Sequence, residues 1–442
     1  MTAGGFQEPD FFTDHSVLLD PYEALEAVRS QSPVRQMKSH DFVMVTGFAE
    51  ATAVLLDGEH FSSVIAAAGP TAPLPFEPEG DDITGQIAAH HHKFVGSETF
   101  LSFDGAQHSA RRALLSRLFT PSRLRANELY MHGLADRLVE DAVAKGGCEL
   151  MHELATPYVT YVIADLLGVP DEDRKKIADI LAAAPLPGSV DDADAGASLA
   201  PLAELVGGMF AAYIVDRRAN PREDVLTDLA TAKFPDGSTP EVGELVMLAI
   251  FLFAAGQDTS AKLIGNSALH LAENPELQDR LRADRSLIAP FLEEMLRLEG
   301  SSKVTHRLAR KSTRIGDLEI PAGKKIVISL AGADRDPHRW EDPDTFKLDR
   351  PRVKEHLAFG RGAHTCIGNP LARAEVRVLF DRFFEHASGM TLSQAQHGPA
   401  GSRRLDYEPS YIVRGLTELY VELTPATAHA APAGSSDEVS VA

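Results

Sequence analysis

Ten residues constrain this chain more than any other stretch: Phe359-Gly360-Arg361-Gly362-Ala363-His364-Thr365-Cys366-Ile367-Gly368. Glycine tolerates positive φ and lets backbone approach closely. A bulky flat ligand over a thiolate needs both. Asn369 reads as a helix N-cap and Pro370 as a first helical residue. Cys366 therefore stands just before a helix N-terminus, where N–H groups and the helix dipole stabilise a thiolate. Taken alone, the cysteine also fits a buried structural thiol in a tight turn. A phosphate-cradling loop fits worse, because the Lys-Ser/Thr ending is missing. So does a nucleophile with His364 as base, because no third orienting group is evident.

The rest of the chain supplies the frame. Length alone allows two or three domains, but no low-complexity linker cuts the middle of the 442 residues, so a single large, mostly helical unit is a live alternative to several small ones. Residues 1–20 read as an N-terminal extension, 21–424 as a single domain and 425–442 as a disordered tail, small and polar in composition. Helical periodicity runs from about Ala106 to Lys311. Its strongest helix is expected from Glu241 to Asn274, apolar all round at its centre and so placed through the core. Strand signals occur at Asp41–Thr46, Ile315–Ile320, Lys324–Leu330, near Tyr411 and at Leu419–Leu423. One more helix is expected over Pro370–His386. Ala66–Gly85, rich in proline, and Pro185–Ser198 read as loops. The fold class is mainly α with small β-sheets.

Composition excludes some functions. The net charge of −21 makes the chain a poor general binder of nucleic acid. Two cysteines are too few for a secreted disulfide scaffold. The N-terminus has no basic and apolar leader pattern. The longest apolar-plus-Gly run, Leu245–Gly256, is too short to span a bilayer. A cytoplasmic protein without a membrane anchor is expected. His90, His91 and His92 read as solvated rather than as a metal site.

The ten-residue loop resembles, position for position, the haem-binding loop of the cytochrome P450 family, Phe-Gly-x-Gly-x-His-x-Cys-x-Gly. Further motifs agree, in order, from about Pro21 to Leu423. The resemblance implies the P450 fold, with haem b between the long central helix and the cysteine loop. It implies that Cys366 ligates the iron and that Phe359, Gly360 and Gly368 shape the loop beneath the haem. His108, Arg112, Arg307 and His364 would hold the propionates, whose negative charge suits cationic partners. Glu294, Arg297 and Arg350 match a structural core of one acid and two arginines. Ala333-Asp334-Arg335-Asp336-Pro337 has Asp334 where the family has Asn.

In the central helix, Ala255-Gly256-Gln257-Asp258-Thr259 puts a glycine, an acid and a hydroxyl in an apolar setting. Both polar groups are costly there if unpaired. A satisfied helix kink would account for them. The segment also resembles the family's oxygen-activation motif. On that likeness Ala255 and Gly256 open a groove over the iron, Thr259 holds dioxygen and water, and Asp258 relays protons.

The resemblance implies a monooxygenase that hydroxylates a lipophilic small molecule with O2. The two electrons would come from NAD(P)H through a ferredoxin and its reductase. Phe76, Phe94, Phe251, Ala255, Val304, Thr305, Ile412 and Val413 fall in the substrate-lining regions, and most are apolar. Between Gln107 and Asn127 lie five arginines, Arg111, Arg112, Arg117, Arg123 and Arg125, and no acid. Between Pro351 and Phe380 lie Arg352, Lys354, Arg361, Arg373 and Arg377 against Glu355 and Glu375. In the family fold these segments share the face nearest the cysteine, so a basic face for an acidic ferredoxin is expected. No reductase is expected to be fused. Two other functions stay open: a peroxide-driven enzyme of the same fold, which Asp258 and Thr259 argue against, and a haem sensor that turns nothing over.

Overall fold

A computed structural model describes residues 6–182 and 195–426. Its axis is the helix Val242–Glu273, 32 residues long, or roughly 48 Å at 1.5 Å per residue. Leu245, Leu248, Leu252, Phe253, Leu263 and Ile264 are buried along it. Such side chains each contribute roughly 1.5–3 kcal/mol on full burial. This is the one described helix long and apolar enough to cross a membrane. Here its neighbours are the helices Thr156–Leu166, Ala195–Ala219 and Ile288–Glu299. The helix Asn369–His386, which follows the cysteine loop, packs on Pro121–Ala144 and on Ile288–Glu299.

The described strands are short: β1 (Val34–Met37), β2 (Phe42–Val45), β3 (Phe61–Ser62), β4 (Gly147–Glu149), β5 (Val304–Ala309), β6 (Thr313–Ile315), β7 (Leu318–Ile320), β8 (Lys325–Ser329), β9 (Ala387–Leu392) and β10 (Tyr420–Pro425). The largest sheet has the order β1-β2-β8-β5-β3. Within it β2 and β8 run parallel, pairing Met44 with Val327, and β5 joins β8 antiparallel, pairing His306 with Val327. β4-β10-β9 form a second sheet and β6-β7 a hairpin.

Several expectations change. The helical region ends at Glu299, not near Lys311, because Val304–Ala309 pairs with β8 as a strand. A β-branched start and two sheet neighbours override local helical spacing there. No strand forms near Tyr411; isolated bridges join Ser302 to Val413 and Tyr407 to Leu416 instead. The last helix starts one residue early. Asn369 is its first residue and does not cap it, since the side-chain amide donates to the Cys366 carbonyl at 2.8 Å. The loop expected at Pro185–Ser198 lies outside the described residues as far as residue 194, and Ala195–Ser198 already belong to a helix. Residues 427–442 also lie outside them. The segment expected as an extension puts Phe11, Phe12 and Val17 into a core cluster with Met37, Phe42 and Met44.

Candidate active site

The cysteine loop folds against the helix Phe48–Leu56. Gly360 and Gly362 have φ of 63° and 76°, and a Cβ on Gly362 would lie 2.6 Å from the Leu55 carbonyl oxygen. Only glycine satisfies both demands. The Cys366 N–H donates to Phe359 O at 2.9 Å, closing the loop. Burial pushes the Cys366 thiol up; the Gly368 and Asn369 amides and the charges of Arg112 and Arg373 work in the opposite direction. A bound metal ion would reverse the effect of burial, because a coordinating thiol is deprotonated outright.

The accessible side of Cys366 opens onto a cavity of about 510 Å³. The central helix contributes Phe251, Ala255, Gly256, Asp258 and Thr259 to its wall; β5 contributes Val304, Thr305 and Arg307; the C-terminal loop contributes Ile412 and Val413. Phe359, Gly360, His364 and Gly368 form the floor with Cys366. Phe76 and Phe94 are not in the wall. Their rings meet edge-on, 6.1 Å apart, in a satellite cluster with Ile65 and Ile83. The proline-rich loop folds back on that cluster, and Ala66 is its one residue at the wall; from the region Phe94–Phe100 it is Thr99 and Phe100 that reach the cavity.

At one edge of the cavity, Arg112, Arg307 and His364 gather with a single acid nearby among the described residues. Arg307 is 4 % exposed, and its Nη1 donates to the His306 carbonyl oxygen at 2.7 Å. Neither it nor Arg112 has a carboxylate partner among the described residues. His108 lies behind the wall, its ring 4.9 Å from that of Phe100 and 4.0 Å from that of His364. Its buried Nε2 has no hydrogen-bond partner among the described residues. Burial, then the nearby charges of His364 and Arg112, pushes His108 down to about 4, and burial pushes Arg307 down to about 10. The one acid close by, Asp104, is engaged with Ser62, the Ser63 N–H and Arg310, and lies 3.8 Å from His364. A pair of carboxylates brought by a ligand would satisfy these groups.

Below the floor, Glu294 receives Arg297 through two hydrogen bonds of 2.8 Å and Arg350 through bonds of 2.8 and 3.0 Å. All three side chains are buried. Arg297 also donates to the carbonyls of Asp334 and Pro343. Asp334 in turn accepts from the Leu357 N–H at 2.8 Å, just ahead of the cysteine loop. These bonds tie the helix Ile288–Glu299 to the segment that leads into Cys366.

The fold and the cavity together match known proteins. The family model described as "Cytochrome P450" matches residues 213–396. "Cytochrome P450 144" of Mycobacterium tuberculosis is 32% identical over 86% of this chain and 85% of its own. The chain belongs to the cytochrome P450 family. The substrate-free structure of Mycobacterium marinum cytochrome P450 CYP150A6 superposes on this P450 with a TM-score of 0.89 at 47% identity, covering 96% of this chain and 100% of the other. A "Vitamin D(3) 25-hydroxylase" from Pseudonocardia autotrophica is 28% identical over 97% of this chain and 100% of its own. This P450 is thus an oxidoreductase of the monooxygenase type, and its family implies haem iron. The residues present fit that group: a cysteine facing a cavity, glycines that let backbone approach, and unpaired buried cations at the edge.

Three features of this P450 were missed or misjudged in the sequence. Four acids from elsewhere neutralise much of the basic face: Arg111 pairs with Glu244, Arg123 with Asp228, Arg373 with Glu293 and Arg377 with Glu128. Counting charge along the chain could not see partners that the fold brings in. Lys262, four residues after Asp258, pairs with it, a spacing that does predict a helical ion pair. Glu375, from the last long helix, reaches the cavity beside Ser260; burial pushes it up to about 8.

Proposed function

We propose that this P450 hydroxylates a neutral, lipophilic small molecule with O2. Electrons come from NAD(P)H through a ferredoxin and its reductase. The observation that carries the reading is convergence: Phe251, Val304, Ile412 and Val413 surround the same cavity that Cys366 and Thr259 face. Apolar walls with a few hydroxyls select apolar ligands of matching shape. The 25-hydroxylase relative, whose name specifies the lipophile vitamin D(3), agrees with that class.

Haem iron held by a thiolate supplies dioxygen activation, because the sulfur pushes electron density onto the metal and favours O–O cleavage. The chain's own residues supply the rest. Cys366 ligates, with the Gly368 and Asn369 amides directed at its sulfur. Arg112, Arg307 and His364 at the wall, with His108 behind them, would hold the propionates. Phe359 packs beside the sulfur, under the Arg373 guanidinium at 4.6 Å. Thr259 presents its hydroxyl at the wall, donating to Ala255 O at 2.9 Å. By turning away from that carbonyl it can donate into the cavity instead. Asp258 stands next to it as the proton relay. Ferredoxin docks on what remains basic near the cysteine, where Arg117, Arg125, Arg352 and Lys354 are exposed.

A spectral-shift screen of lipophilic compounds on the haem-loaded protein, followed by turnover with a surrogate ferredoxin and reductase, tests the reading. Binders should be neutral and apolar, and at least one should yield hydroxylated product. Spectral shifts with no product from any binder would favour a sensor and defeat the proposal. Arg117→Glu with Arg125→Glu should slow reduction by ferredoxin most at low salt; an unchanged rate would remove the docking face.

A further inference from the structure

Behind the cavity wall stand two charged side chains, Lys262 and Glu408, that no step above uses. Lys262 is one helical turn beyond Asp258, and its ammonium bridges the Asp258 carboxylate and Glu408 Oε2, the latter at 2.9 Å. The Lys262 and Glu408 side chains are 5% and 7% exposed, whereas Asp258 is 21% exposed and reaches the cavity. Glu408 belongs to the C-terminal loop that also carries Ile412 and Val413, so the bridge joins two parts of the wall. The backbone is shaped for it: a Cβ on Gly415 would collide with the Lys262 stem. The Glu408 N–H, in turn, donates to Gly415 O at 3.0 Å. The remaining Glu408 oxygen, Oε1, is buried without a partner among the described residues.

A buried lysine in an apolar helix is costly unless its charge is matched. One carboxylate would match it. Two are present, from two elements, and one of them faces the reaction chamber. The arrangement therefore does more than neutralise a lysine. Asp258 on its own could swing between cavity and interior; with Lys262 gripped by Glu408, its carboxylate has a fixed direction. Proton delivery depends steeply on such placement.

We propose that Lys262, anchored by Glu408, is a positioning residue that holds the Asp258 carboxylate in place for proton delivery to the cavity. The inference rests on the proton-relay reading of Asp258 given above. It assigns a role to two residues that stand outside the cavity wall.

The test uses the haem-loaded protein with Lys262→Met, Lys262→Arg, Glu408→Gln and Asp258→Asn. The carbon monoxide spectrum of the reduced protein and the substrate-induced spectral shift should survive in all four. Product formed per electron pair should fall about tenfold in Lys262→Met, short of the roughly hundredfold expected when a positioned proton donor is lost. Lys262→Arg, which keeps the charge, should restore most of it. Infrared difference spectra, with Asp258→Asn as the subtraction, should show the Asp258 carboxylate stretch shifted in Lys262→Met and in Glu408→Gln. The band reports the carboxylate's direction and the coupling reports its use; loss of a purely structural lysine would leave product per electron pair unchanged. Wild-type coupling together with an unshifted band in Lys262→Met overturns the inference. Should Lys262→Met fail to fold, the same two readings on Glu408→Gln decide it. If Asp258→Asn uncouples while Lys262→Met does not, this inference falls alone. If Asp258→Asn keeps wild-type coupling, the relay reading falls and takes the inference with it.

Discussion

Arg350 Nε lies 2.8 and 3.0 Å from the two carboxylate oxygens of Glu294, bridging 56 positions of chain. The same carboxylate accepts both bonds from Arg297, one turn away on its own helix. Removing the acid would leave two guanidinium groups buried without a counter-charge. Glu294→Leu should therefore cost about 3–5 kcal/mol. Urea unfolding followed by circular dichroism should show the loss. Haem retention should fail with it, because the network leads into the cysteine loop.

Cys366→Ala should abolish the thiolate signature of the haem-loaded protein. The carbon monoxide band of the reduced form should leave its thiolate position, and hydroxylation should stop. The fold should persist, since the side chain faces a cavity rather than filling a packed core. Absorption spectra and circular dichroism on the same sample separate the two effects.

Thr259→Ala removes a hydroxyl from the wall without changing the helix that carries it. Electron consumption should continue, while product per electron pair falls by roughly ten- to a hundredfold. Parallel assays of reductant and product measure the ratio. A variant with normal coupling would remove Thr259 from the proposed relay.

Lys303 gives a dependence on pH. Burial, aided by the Arg414 charge, pushes its pKa from 10.5 down to about 7. Between those values the unfolded chain binds the lysine proton and the folded one does not, so stability from this group rises with pH. Below about pH 7 both states are charged and the full burial cost applies. Thermal midpoints of wild type and Lys303→Met should differ most near pH 6 and converge as the pH approaches 10. A difference that stays constant would mean that the amine does not titrate in that window.

Residue order revealed what chain neighbours determine. The central helix was legible to within a residue at each end, because its apolar length and the Asn274-Pro275 stop are local signals. The surroundings of Cys366 were legible because ligand, glycines and following helix are contiguous. Partners from distant segments were not. The acids on Arg111, Arg123, Arg373 and Arg377 come from four other elements, so a basic stretch in the sequence became a partly neutral surface. Phe76 and Phe94 show the same limit: apolar residues in a lining region can satisfy each other instead of a ligand. β5 was read as the end of a helical region because its pairing with β8 is set by the sheet and not by its own six residues.

The N-terminal segment bears on the substrate chamber from outside. Lys303 Nζ donates to Leu18 O at 3.0 Å, Arg414 Nη1 to Leu19 O at 2.5 Å, and the Phe12 ring lies 4.8 Å from that of Tyr411. Each of these contacts holds a residue next to Val304, Ile412 or Val413. A purification tag or a trimmed start would loosen the chamber's own masonry, so recombinant versions that differ before Asp20 should not be assumed to choose the same molecules.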